Sequence, residues 1–284
     1  MSMIPGSGSP LPAAETPLEA CARSFYVPLA ECMTGYGFGY GPDAWNPYVR
    51  ELLDTDTDTD TAITTASASI SGSESRQQAG AVLERYVHSF QPATVAEAVF
   101  GKGLEALPPE LKHDPVVSEP FPRKVSVLRI PFFPMPWTPA GRLRLPARYY
   151  RESYNTKLKD EAQRTRATFR SIRDRGYEIR PEQARRAKSA VVLCVCLKLG
   201  EQTRYIVING HHRLAALSAL GYDRVPIALT REFIPVVDHE NASFWPAVRE
   251  GLYSKEAAQA MVRSFFTDDG RRKARSFGLL KAPL

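Results

Sequence analysis

The sequence predicts an α+β fold, and three observations predict it. Tyr154, Leu158, Glu161/Ala162, Thr165, Phe169 and Ile172 recur at three- and four-residue steps, which places them on one helical face that ends at Gly176. Two strand-like runs follow, Ala190 to Leu197 and Arg204 to Ile208, joined at Gly200, Glu201 and Gln202 as a β-hairpin. His211 to Leu220 then returns to helical spacing with Leu214, Leu217 and Leu220 inward, Gly221 stops it, and Val225 to Leu229 reads as one more strand. Apolar residues make up 43% of the 284 positions, enough for a real core.

The flanking elements divide the chain further. Residues 1–20, rich in Gly, Ser, Pro and Ala, bury too little apolar surface to offset ordering entropy and are expected to be disordered. A mostly helical region is expected over 21–135, opening near Phe25. Tyr36-Gly-Phe-Gly-Tyr-Gly-Pro is an aromatic-glycine loop that either lines a site or plugs a core edge, and it feeds a helix starting at Pro47. The Asp-Thr repeat from Asp54 to Thr61 begins a flexible low-complexity insert over about 54–79; as an EF-hand it fails, with Thr59 where Gly is needed and Thr65 where Glu is needed. Helical spacing resumes at Ala81, Val82, Leu83, Tyr86 and Val87, and Thr94 with Glu97 forms a capping box for a helix from Ala96 to Leu107, ended by Pro108-Pro109. Residues 115–150 are rich in Pro and aromatics, with a strand expected over Val125 to Pro131 and irregular chain at Pro134 to Trp137. A boundary falls here, giving one domain over 136–233 and a helical extension over 234–284. In the extension, Ser254 is an N-cap for a helix burying Ala257, Ala258, Met261, Val262 and Phe265; His239 is expected to be solvated, Trp245 to anchor packing, and Arg271 to Arg275 to form a basic tail.

The net charge of +6 is unevenly spread: residues 1–120 hold 6 Lys+Arg against 16 Asp+Glu, and residues 121–190 hold 18 against 6. A surplus of twelve positive charges attracts phosphates or packs against the acidic front. Lys157, Lys159, Arg164, Arg166, Arg170, Arg173 and Arg175 share the long helix, where a solvated face is the expectation. No apolar stretch approaches a membrane span and no leader-like segment opens the chain, so a cytoplasmic location without a membrane span is expected. Four cysteines make no disulfide framework, and Cys194 with Cys196 reads as buried strand.

The chemistry concentrates where the second hairpin strand breaks at Asn209-Gly210 and turns directly into a helix. Such a start leaves backbone N–H groups aimed outward, and the helix dipole favours an anion there. Gly210 permits close approach, and Arg213 in the first turn offers a charged fork. His211 and His212 are candidate proton carriers or phosphate ligands. Adjacent helical residues diverge by about 100°, so His212 and Arg213 are the stronger contacts; a metal site is not expected, since helical histidine ligands favour i, i+4 spacing. Asn209 reads either as a group that orients a reactant or as the helix N-cap.

Ile208 to Gly221, Ile-Asn-Gly-His-His-Arg-Leu-Ala-Ala-Leu-Ser-Ala-Leu-Gly, followed by Tyr-Asp-Arg-Val-Pro-Ile227, resembles the signature of the ParB/sulfiredoxin superfamily, and Thr168 to Gly176 resembles the helix that precedes its hairpin. The resemblance covers about residues 140–232 and implies a mixed sheet with packed helices and a nucleotide or phosphate pocket at this helix start. Sulfiredoxin places a cysteine where this chain has His211, which removes its thiol chemistry. The chromosome-partition proteins carry Glu-Arg where this chain has His211-His212 and follow it with a helix-turn-helix, for which the last 50 residues show no pair. The free-serine kinase branch is most similar, with Asp in place of Asn209. The resemblance therefore implies a nucleotide-dependent phosphotransferase or nucleotide hydrolase taking ATP, ADP or CTP with Mg2+ and an unknown small-molecule acceptor. Phosphate would be bound by Gly210, His211, His212 and Arg213, and catalysis assigned to His212, Asn209 and His211. A replacement carboxylate is sought in Glu201, Asp238 or Glu240. The competing expectation is a nucleotide-responsive switch or DNA-binding protein without turnover.

Overall fold

The structure, a computed structural model, describes residues 24–54, 80–121, 127–128, 133–139, 158–177, 191–231 and 234–281. The disordered N-terminus and the low-complexity insert expected from the sequence lie outside these residues, as does most of the strand expected over Val125 to Pro131.

The described chain begins on β1 (Phe25–Pro28), makes one 3-10 turn over Leu29–Glu31, and enters β2 (Cys32–Met33). The aromatic-glycine loop leads to α1 over 47–54, where Asn46 Oδ1 caps the N–H of Tyr48 at 3.0 Å. Then come α2 (Ala81–Ser89) and α3 (Val95–Phe100). Thr94 caps α3 as expected, its Oγ1 accepting from the N–H of Glu97, but α3 stops at Phe100 because Gly101 (φ 101°) turns the chain out of helical space well before Leu107. The long helix α4 (Leu158–Arg175) buries Leu158, Glu161, Ala162, Thr165, Phe169 and Ile172, the stripe read from the sequence. The hairpin is β3 (Val192–Leu199) and β4 (Gln202–Asn209), α5 (His211–Ala219) follows, and β5 (Arg224–Leu229) and β6 (Val236–Asp238) complete the strands. The C-terminal region holds α6 (Pro246–Arg249), α7 (Lys255–Thr267) and α8 (Arg271–Ser276). The expected basic tail is therefore a helix, anchored by buried Lys273 and Ala274.

The protein is a mixed α+β structure around one six-stranded sheet ordered β1-β5-β3-β4-β2, with β6 pairing parallel to β3 beyond β5. β3 is central, antiparallel to β4 and parallel to β5. Its Val195 and Leu197 on one face and Cys194 and Cys196 on the other are all buried, as befits a strand covered on both sides. Strands from either side of both expected domain boundaries thus join one sheet, and one continuous hydrophobic cluster runs from Val27 to Leu279.

In a flat sheet, β1 and β2 would lie about 19 Å apart across four strand spacings. Only Leu29–Glu31 separates them, a reach of about 13 Å. The sheet therefore curls until its two edges approach, and Phe25 of β1 meets Tyr205 of β4 edge-on at 6.2 Å between ring centroids. Among the described residues, no helix is long and apolar enough to cross a membrane.

Candidate functional site

β4 ends at Asn209 and the chain reverses at Gly210, which sits at the N-cap of α5 with φ 103° and ψ 18°. A Cβ at this position would lie 2.9 Å from Val192 Cγ2 and 3.2 Å from Val192 Cα, so both conformation and space demand glycine. Asn209 is thus not the cap; it is exposed at the strand end, and among the described residues no side chain caps α5. The first N–H groups of α5 lie before any intrahelical acceptor, and the earliest helical bonds run from Arg213 and Leu214 N–H to Gly210 O at 3.0 and 3.1 Å.

The two histidines diverge from this start. His212, half-buried, bonds through Nε2 to Glu161 Oε2 of α4 at 2.8 Å, because α4 packs directly on α5. The Glu161 side chain is only 4% exposed, and Arg164 Nη1 approaches its other oxygen at 3.8 Å. An ionised carboxylate only accepts hydrogen bonds, so against such a partner Nε2 is the donor of this pair. His211 turns inward instead, 6% exposed, with Nδ1 at 2.8 Å from Tyr40 Oη. Burial holds the Tyr40 hydroxyl protonated far above its usual range, against a weaker opposing pull from Asn46. Tyr40 is fixed at a second point, its carbonyl accepting from Ser218 Oγ at 2.7 Å. Tyr48 of α1 serves both histidines: its ring stacks on His211 at 6.3 Å and 17°, and meets His212 at 5.4 Å and 60°. Arg213 is half-buried in the same first turn.

A buried ion pair holds α1 to α4 behind these groups. Arg166 Nη2 bonds Glu51 Oε1 at 2.8 Å, and Glu51 also accepts from the N–H groups of Gly80, Val82 and Leu83 at 2.7, 3.1 and 3.3 Å, capping α2 from outside the helix. Arg166 thereby leaves the solvated face expected for the basic residues of α4.

The carboxylates sought from sequence lie elsewhere. Leu193 pairs with Asn209 at the site end of the hairpin, whereas Glu201 occupies its turn and Asp238 pairs with Lys198 near that turn. Glu240 is on the surface against His239, which is itself buried and bonded to Arg263 at 3.1 Å, not solvated. Glu161 is the residue sequence reasoning passed over, although its signal was present: a carboxylate on the apolar stripe of an amphipathic helix. Tyr40 and Tyr48 come from the aromatic-glycine loop and the helix after it and are fully buried, and Tyr36 and Phe38 of the same loop pack into the aromatic core with Phe90, so the loop fills the core. Cys32, Cys194 and Cys196 are buried, and burial pushes the Cys32 thiol up to about 12, so these thiols are not nucleophiles. Among the described residues, no three His, Cys, Asp or Glu side chains cluster as a metal site.

No protein-family model matches the chain, and no match was found among curated proteins or solved structures.

Proposed function

We propose that this is a nucleotide-binding protein of ParB/sulfiredoxin-like type that transfers a phosphoryl group to a small hydroxylic acceptor or to water. The observation that carries the reading is the His212–Glu161 pair, a buried carboxylate on an imidazole at the uncapped start of α5. The Asn209-Gly-His-His-Arg motif supports the nucleotide half, because helix N–H groups and Arg213 suit phosphate oxygens.

In this reading the nucleotide phosphates rest on the N–H groups of His211 and His212 and on the Arg213 guanidinium, and Asn209 orients the acceptor. His212 Nδ1 takes the acceptor hydroxyl proton as the new O–P bond forms and the bridging P–O bond of the nucleotide breaks. Glu161 stabilises the resulting imidazolium. His211, tied to Tyr40 and lying against Tyr48, holds the first turn in place. Mg2+ would arrive on the nucleotide phosphates, as it commonly does where the protein offers few ligands of its own. The exposed amide of Asn209 favours a second reading, a nucleotide-responsive switch without turnover, because an amide neither takes a proton nor binds a cation strongly.

Thermal shift with ATP, ADP and CTP plus Mg2+ measures binding, and phosphorus NMR across a panel of hydroxyl compounds measures turnover. Binding should weaken in Arg213→Ala, and turnover should fall by roughly 10²–10⁴ in Glu161→Gln with binding retained. No shift with any nucleotide overturns the reading, and a shift without turnover selects the switch.

A further inference from the structure

A second constellation lies at the opposite end of β4. Arg204 on β4 and Arg271, Arg272 and Arg275 on α8 line a cleft of about 570 Å3, together with Met33 and Gly39. Arg204 lies five residues before Asn209, about 17 Å along the strand, so the cleft is separate from the start of α5.

The charges in the cleft do not cancel. Asp268 and Asp269 also line it, but both carboxylates are engaged as caps. Asp268 Oδ1 accepts from the N–H groups of Gly270 and Arg272, its Oδ2 accepts from that of Lys273, and Asp269 Oδ1 accepts from that of Arg271. The start of α8 is thereby filled by the protein's own acids; Arg272 Nε also lies 3.9 Å from Asp268 Oδ2, so the guanidiniums that a ligand would engage are chiefly those of Arg204, Arg271 and Arg275. Arg204 is held ready for one: its guanidinium lies 5.5 Å from the centre of the Phe266 ring and donates from Nη1 to Thr203 O at 3.2 Å. Gly39 lets the loop pack tightly beside α8: its N–H donates to Asp269 O at 3.1 Å, and a Cβ there would lie 2.9 Å from Ala44 Cβ and 3.2 Å from Asp269 O.

We propose that this cleft binds a small anion carrying two linked phosphates, either free pyrophosphate or the diphosphate group of a small metabolite. Guanidinium forks from two elements, β4 and α8, suit the paired oxygens of such a group. The volume falls within the few hundred to about 1,000 Å3 typical of small-molecule sites. A nucleic acid fits less well, because the arginines line one concavity rather than an extended basic stripe.

Calorimetric titration of the whole chain with inorganic pyrophosphate at low salt tests this, using wild type, Arg204→Gln/Arg275→Gln and Arg213→Ala. Arg213→Ala should retain one pyrophosphate site, and adding Arg204→Gln/Arg275→Gln to it should weaken that site about 100-fold, roughly ten-fold per guanidinium. The ligand-free melting temperature of each variant, unchanged within a few degrees, shows that folding is intact. Absence of pyrophosphate binding in Arg213→Ala overturns the proposal, and so does binding that Arg204→Gln/Arg275→Gln leaves unchanged. Binding of a single-stranded oligonucleotide without binding of pyrophosphate overturns it as well. Repeating the titration with a diphosphate monoester separates the two sources: tighter binding than pyrophosphate marks the metabolite, and weaker binding marks the free anion. Failure of the nucleotide reading appears instead as loss of nucleotide binding with pyrophosphate binding intact.

Discussion

Lys273 should make the stability of this protein rise with pH across a range where most proteins level off. The residue is 3% exposed within α8, donates from Nζ to the Tyr36 carbonyl, and lies 5.5 Å from the centre of the Phe38 ring. Burial lowers its pKa to about 8, Asp268 opposing and Arg272 reinforcing the shift. An unfolded-chain lysine titrates near 10.4, so between about pH 8 and pH 10.4 the unfolded state binds more protons than the folded one, and stability increases with pH. Below about pH 8 both states are charged and the full penalty of roughly 3 kcal/mol applies, set by the gap between about 10.4 unfolded and about 8 folded at about 1.4 kcal/mol per tenfold in proton affinity. Lys273→Met removes the penalty while filling the same space. Relative to that variant, wild type should therefore gain about 1 kcal/mol between about pH 7 and pH 9 and close most of the remainder by about pH 10.4. The tyrosines and cysteines whose pKa values are raised act in the opposite sense at high pH, but they are common to both proteins and cancel in the difference. Urea unfolding followed by the fluorescence of buried Trp45, Trp137 and Trp245 gives the two curves. Curves that run parallel from pH 7 to pH 10 would refute the desolvation of Lys273.

Two further perturbations test the frame behind the candidate site. Glu51→Ala removes the acceptor of three helix N–H groups and leaves Arg166 as a buried charge, which should cost about 3–5 kcal/mol in chemical denaturation. Adding Arg166→Met should recover part of that loss, and a cost below about 1 kcal/mol would show the pair to be solvated. Gly210→Ala forces a side chain into left-handed backbone against Val192 and should cost about 2–4 kcal/mol, read as a fall in melting temperature. Val192→Ala in the same chain should relieve only the steric share, leaving the conformational one.

The helix-hairpin-helix-strand segment was legible because each element there announces itself locally. The apolar stripe of α4, the turn at Gly200 and the Gly221 stop after α5 all depend on neighbours within one or two turns. Long-range pairings left no such trace. Nothing in Phe25 to Met33 indicates that four residues will line one edge of the sheet and two the other, since partners about 200 and 170 residues away are fixed by the closure of the whole sheet. The site divides along the same line. Gly210, His212 and Arg213 were visible as a motif, whereas Glu161 was masked by its place on a stripe read for burial alone, and Tyr40 and Tyr48 by a loop equally consistent with core filling. The short α3 shows a local signal misjudged, the cap at Thr94 being read correctly while the stop at Gly101 was passed over in favour of the prolines beyond it.

The curl of the sheet has a consequence for dissecting the molecule. One nine-residue stretch, Phe25 to Met33, supplies the outer strand at both margins. A fragment cut to begin at the Pro-rich segment would keep the motif and lose both guards at once, baring the backbone of β5 and β4 on opposite sides. Each bared margin is a template for the other in a second molecule, a head-to-tail arrangement that nothing closes. The recombinant unit worth expressing is therefore the one that includes Phe25, however self-sufficient residues 136–233 look on paper.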